Sequence, residues 1–186
     1  MKQLLENYNP KNEQEIVDKQ TMLEFIEINH DYLDRTNKIA HMTSSAIVVN
    51  KAMDRVLFAH HNIFNSWGWV GGHNDGDNNP LRVAIKEAKE ETGVKNIVPY
   101  SEDILVIDVI YVFNHIKNGN YVNDHLHLNT TYLLIADEND ELSVKQDENS
   151  GVKWFDIETV MEHITEDRIK AVYNKAFNII KGLKTI

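Results

Sequence analysis

Apolar side chains recur at mostly helical spacing between residues 12 and 33, with Ile16, Met22, Phe25, Ile26 and Tyr32 in the series. The pattern predicts an N-terminal helix packed on the rest of the chain. The period then shortens. β-Branched residues crowd positions 42–49, and after a turn at 51–54 a second strand is expected at 55–60, the two pairing as a hairpin. A short strand at 66–70 runs into two consecutive glycines. Beyond them the Asp77-Asn78-Asn79-Pro80 run supplies an Asn cap and a first-turn proline for a helix over 80–92, which Gly93 ends. Strands follow at 104–113, from 122 or 125 to 137, and at 151–155, the first two separated by turn residues at 117–120. An amphipathic C-terminal helix covers 166–181. Strands lie before, between and after one central helix, without repeats or a linker, so the pattern predicts a single α+β domain.

Composition narrows the function. The chain has 186 residues, long enough for one well-buried core. Hydrophobic residues make up 42% and charged residues 26%, which excludes wholesale disorder. A net charge of −10 argues against binding duplex nucleic acid through its phosphates. No cysteine is present, so disulfides, thiolate nucleophiles and cysteine-rich zinc sites are ruled out. The first fifteen or so residues lack a signal peptide's apolar core and no run reaches membrane-spanning length, so the chain reads as soluble, cytoplasmic and free of membrane contact. The sequon Asn129-Thr130-Thr131 is then a chance match.

Chemistry enters with the central helix. Glu87, Glu90 and Glu91 stand at i, i+3 and i+4, within an arc of roughly 100°. The apolar stripe of Leu81, Ala84, Ile85 and Ala88 is centred roughly 115° away, so one face enters a core while its neighbour presents carboxylates. Like charges at these spacings repel, and a hard divalent cation such as Mg²⁺ is the natural counter-charge, because it takes oxygen ligands and is held by a few carboxylates together with substrate phosphates.

Gly72, Glu87, Glu90, Glu91, Gly93 and Val94 together resemble the Nudix box, G-x5-E-x7-R-E-U-x-E-E-x-G-U, where U is aliphatic. Three glutamates and two glycines at fixed places, each at a frequency of roughly 7%, coincide by chance about once in a million starting positions. Two places depart from the pattern: Asn78 replaces the first Glu and Lys86 the Arg. The resemblance implies a Nudix-like α/β/α sandwich with a mixed sheet and an extra N-terminal helix, residues 1–38 being a helical extension and 39–186 the core of a single domain. It also implies a divalent-metal-dependent hydrolase, using Mg²⁺ or Mn²⁺, that cleaves the pyrophosphate bond of a nucleoside diphosphate linked to another moiety. Glu90 and Glu91 would be principal metal ligands, Glu87 a ligand or base, and the Gly71 carbonyl a further ligand. Asp147 and Glu148, shortly before Trp154, are candidates for a distal metal or base position. Lys86 keeps the arginine's charge without its two-pronged geometry. A catalytically silent nucleotide sensor of the same fold is the competing reading.

Three histidines add candidate substrate contacts. His125 and His127 share a strand face, and His73 follows the glycine pair; they suit a metal, a phosphate or a polar cavity wall, and the metal needs a third ligand that the sequence does not place. His41, His60 and His61 flank the early strands. Trp67, Trp69, Phe64 and Tyr132 are candidates for stacking a base. The partner expected is a small nucleotide-type substrate. Homodimer formation stays open.

Overall fold

The computed structural model describes residues 1–117 and 119–183. Its centre is β1 (Ala40–Val49), buried at all ten positions. A strand covered on both faces cannot show the simple in-out alternation of a surface strand, and β1 divides its side chains between two cores instead. Met42, Ala46 and Val48 face one core, and Ile47 and Val49 face the other. β2 (Arg55–His61) pairs antiparallel with β1 through the expected hairpin turn, where Met53 takes a positive φ of 56°. The expected strand at 66–70 is two short ones, β3 (Ser66–Gly68) on β2 and β4 (Val70–His73) on β1.

The central helix α3 (Pro80–Thr92) has the predicted bounds, and its ends explain why. The Asn79 side chain accepts the Arg82 N–H, Pro80 fills the first turn, and Gly93 closes the helix at φ 78°. β5 (Ile97–Pro99), not foreseen, is a short edge strand. β6 (Val106–Val112) and β9 (His125–Ala136) form an antiparallel pair, interrupted by a small hairpin of β7 (His115–Lys117) and β8 (Asn120–Val122). Of the turn expected at 117–120, Asn118 lies outside the described residues. β9 also runs parallel to β1 from Ala40↔Leu126 to Val49↔Ile135, and β10 (Asn149–Asp156) completes the order β10-β2-β1-β9-β5. In β9 the sequon residue Asn129 is buried, accepting from Thr43 and Ser45 and donating to Thr131, so it is no glycan acceptor.

Helices cover both faces of this mixed sheet. α3 lies on one, joined there by α1 (Lys2–Asn7) and α2 (Glu13–Ile28), whose Leu5, Met22 and Ile26 enter the same core together with Tyr8 from the link between them. The single helix expected over 12–33 is thus shorter, capped by Asn12 and ended at Ile28, with a separate helical turn before it. α4 (Asp167–Leu183) covers the opposite face, where Tyr173 and Phe177 pack on Phe58. Among the described residues, no helix is long and apolar enough to cross a membrane.

Candidate functional site

A cavity of about 880 Å³ is walled by β1, β4, α3, β9 and the 145–148 segment before β10. The fold brings to it Gly71, Lys86, Glu87, Glu90, Glu91 and Glu148, together with Trp67, His73, His125 and His127. Residues 20 to 80 apart in the chain meet because α3 crosses behind β4 while β9 and β10 return beside β1 and β2.

The three glutamates of α3 are not equivalent. Glu91 is buried; one carboxylate oxygen accepts the Gly71 N–H and the other the Asn149 amide, each at 2.8 Å. Burial pushes its carboxyl up to about 7, against the pull of those two hydrogen bonds. Glu87 is also buried, pressed against the glycine pair: a Cβ on Gly72 would stand 2.6 Å from its carboxyl carbon. Gly71 has no room either, since a Cβ there would lie 2.7 Å from the Ser44 carbonyl oxygen. Glu90 is exposed.

Ammonium groups sit among these carboxylates. Lys86 Nζ lies 3.1 Å from Glu87 and 3.5 Å from Glu90. Lys145 Nζ lies 2.9 Å from Glu148 and 3.7 Å from Glu90. Lys117 reaches Glu148 at 3.4 Å. Burial alone would raise the Glu148 carboxyl, but its bonds to Lys145 and Lys117 hold it below the usual range. The hydrogen bond to Glu87 raises the Lys86 ammonium in turn. Oxygen donors that gather lysines in this way have the chemistry a hard divalent cation requires.

A model of the NUDIX domain matches residues 40–176. The chain belongs to the Nudix family. Pyrophosphate-bond hydrolysis is the chemistry of that family, and the chain is a Nudix-type pyrophosphohydrolase. Solved Nudix relatives share the fold at low identity. A Nudix-family hydrolase from Clostridium perfringens is 24% identical with a TM-score of 0.55, the match covering 75% of this chain and 97% of that one. An Ap4A hydrolase from C. elegans is 16% identical with a TM-score of 0.55, over 76% and 98%. The dihydroneopterin triphosphate pyrophosphohydrolase of E. coli is 14% identical with a TM-score of 0.50, over 72% and 92%. A search of curated proteins finds no significant match.

Against the Nudix box the two departures fall in different places. Asn78 does not line the cavity; it borders a smaller one with Leu4 and Tyr132, so its missing carboxylate is not taken from the glutamate group. Of its acidic neighbours, Asp75 pairs with Arg35 and Asp77 with Arg82. Lys86 is in the cavity wall, on two glutamates. Of the aromatic candidates, Trp67 is half-buried on the cavity wall, edge-on to Phe155 with ring centres 4.9 Å apart. Phe64 and Trp69 also line the cavity, whereas Tyr132 is fully buried in the core and cannot stack a ligand there. Asp147 lines the cavity beside Glu148.

Sequence reasoning missed Lys145, Lys117 and Asn149, which lie in a turn, a small hairpin and the first residue of β10. No periodicity marks such positions, although the i, i+3 spacing of Lys145 and Glu148 was a local signal. His41 has no role legible in the sequence beyond flanking an early strand. The structure sets His41 against His73, His125 and His127, with ring centres 4.9 to 5.2 Å away.

Proposed function

We propose that the chain is a divalent-metal-dependent hydrolase that cleaves, by water attack, the pyrophosphate bond of a nucleoside diphosphate linked to another moiety. One observation carries the reading: Glu87, Glu90, Glu91 and Glu148 meet in a single cavity, with Lys86 and Lys145 drawn in among them. Glu87, Glu90 and Glu148 would hold Mg²⁺ or Mn²⁺, with Glu91 and the Gly71 carbonyl as further ligands. When bound, the ion neutralises the charge of the pyrophosphate and makes water more acidic.

The chain's own groups supply the rest. Glu87 and Glu91 are the buried carboxylates of the set, and one of them accepts the proton of the attacking water. Lys86 holds Glu87 and Glu90 in a common orientation. Lys145 exchanges its carboxylate contacts for the phosphates of the substrate, and Trp67 offers an apolar face to the group beyond them.

The test is hydrolysis by the purified chain with Mg²⁺ or Mn²⁺ over nucleotide sugars, dinucleoside polyphosphates, dihydroneopterin triphosphate, NADH, ADP-ribose and oxidised dNTPs. Turnover of at least one is expected, with loss on chelation and a fall of at least roughly a hundredfold in Glu90→Gln, whose exposed side chain leaves the fold intact. Tight binding of one ligand without turnover of any would convert the assignment to a nucleotide sensor.

A further inference from the structure

We propose that His41, His73, His125 and His127 form a binding site for one transition-metal ion of the zinc type, separate from the carboxylate group and independent of the hydrolase reading. Each ring offers a nitrogen, and the four ligand atoms lie within 4.8 Å of one another. Sheet register builds the cluster. His41 on β1 is the direct partner of His127 on the parallel β9, His125 lies two residues before His127 on the same face, and His73 on β4 pairs with Thr43, two residues beyond His41.

Hydrogen bonds outside the cluster aim the nitrogens inward. His41 Nδ1–H donates to the Asn37 carbonyl at 3.0 Å and His125 Nδ1–H to the Asn123 carbonyl at 2.8 Å. In each neutral ring the lone pair is then left on Nε2, as in metal-bound histidines held by backbone carbonyls. His41 Nε2 is buried and has no hydrogen-bond partner, an uncommon state for a buried polar atom. His125 Nε2 and His127 Nε2 share a hydrogen bond at 3.1 Å, which the ion would replace. Two ligands of one tetrahedral zinc, each about 2.0 to 2.1 Å from the ion, stand about 3.4 Å apart, so this pair is already near the separation required.

The donor set selects the ion. Neutral imidazoles suit zinc and its neighbours, whereas Mg²⁺ and Mn²⁺ prefer the oxygens of the glutamates in the same cavity. The nearby Arg35 guanidinium is engaged by Asp75 in a two-pronged pair, which reduces its opposition to a cation. Four protein ligands complete a tetrahedron, so the ion would be structural, pinning β1, β4 and β9 together beside the carboxylates.

Calorimetric titration of the full chain with zinc alone tests this. One equivalent is expected to bind. His41→Asn should weaken binding by at least about a hundredfold, since removing even an outer partner of a ligand costs 10 to 100-fold. His73→Asn, at a half-buried ring, provides the same test should the buried variant fail to fold. Glu90→Gln combined with Glu148→Gln, which depletes the carboxylate group, should keep the equivalent. Cobalt(II) added to the unaltered chain should give the intense visible bands of tetrahedral coordination. Absence of the zinc equivalent, its persistence in a folded histidine variant, its loss in the glutamate variant, or weak octahedral cobalt bands would each overturn the proposal.

Discussion

Glu91 has both carboxylate oxygens engaged by donors, the Gly71 N–H and the Asn149 amide, and this distinguishes it from Glu90, which presents its carboxylate to solvent and two lysines. Glu91→Gln replaces one acceptor by an NH₂ that faces a donor. It is expected to cut turnover at least roughly a hundredfold and to lower stability by about 1–3 kcal/mol, read by steady-state rates and by denaturant titration; near-normal turnover on the true substrate would remove Glu91 from the mechanism. Gly72→Ala should act through Glu87, because the added carbon meets that carboxyl group. A fall in kcat of at least about tenfold is expected, as misplacement by about 1 Å is enough for larger losses. Lys86→Arg is informative in the other direction. Lysine already touches both Glu87 and Glu90, so arginine should change kcat by less than about threefold, and a large gain would show that the lysine limits the natural site.

At the scale of elements, α2, β6 and α4 are tied by a buried ionic triad. Lys175 Nζ lies 2.8 Å from Asp108 and 3.0 Å from Glu15, and Glu15 also accepts the Tyr8 hydroxyl at 2.7 Å. Lys175→Ala leaves two buried carboxylates without their cation and should lower stability by about 3–5 kcal/mol in chemical denaturation. Asp108 makes its own burial visible through pH. Burial raises its carboxyl to about 6, with Lys175 opposing. The unfolded group titrates near 3.9, about two units lower, so the folded state holds the extra proton between these values. Its contribution therefore falls as pH rises from about 4 to about 6, by on the order of 3 kcal/mol. In Asp108→Asn that slope should be absent from the difference between variant and parent stability curves. None of these three residues was a candidate in the sequence: Glu15 and Lys175 are each one charge among several on their helices, Asp108 is the single charge of β6, and only the crossing of the elements pairs them.

Over the whole molecule, the N-terminal helices share a core with α3 and contribute Glu15 to the triad; we propose that the extension 1–38 and the core 39–186 fold as one domain. Removal of residues 1–28 is then expected to abolish cooperative unfolding, as followed by circular dichroism, and a truncated chain melting like the parent would show the extension to be dispensable. What the sequence by itself determined is whatever depends on neighbours along the chain: α3 with its Asn79 and Gly93 caps, the β1–β2 hairpin, and the box that puts Glu87, Glu90 and Glu91 on one side of a helix. The separate N-terminal turn, the short β5 and the β7–β8 hairpin escaped because segments of three to six residues have too few positions to show a period. Tertiary structure alone decided which partners those residues meet. Glu91 meets Asn149 58 residues away, and Tyr132 lies in the core instead of on the cavity wall. His41 stands beside His127 because β1 and β9 run parallel in one register, and strand register depends on burial of whole faces and not on any motif within one strand.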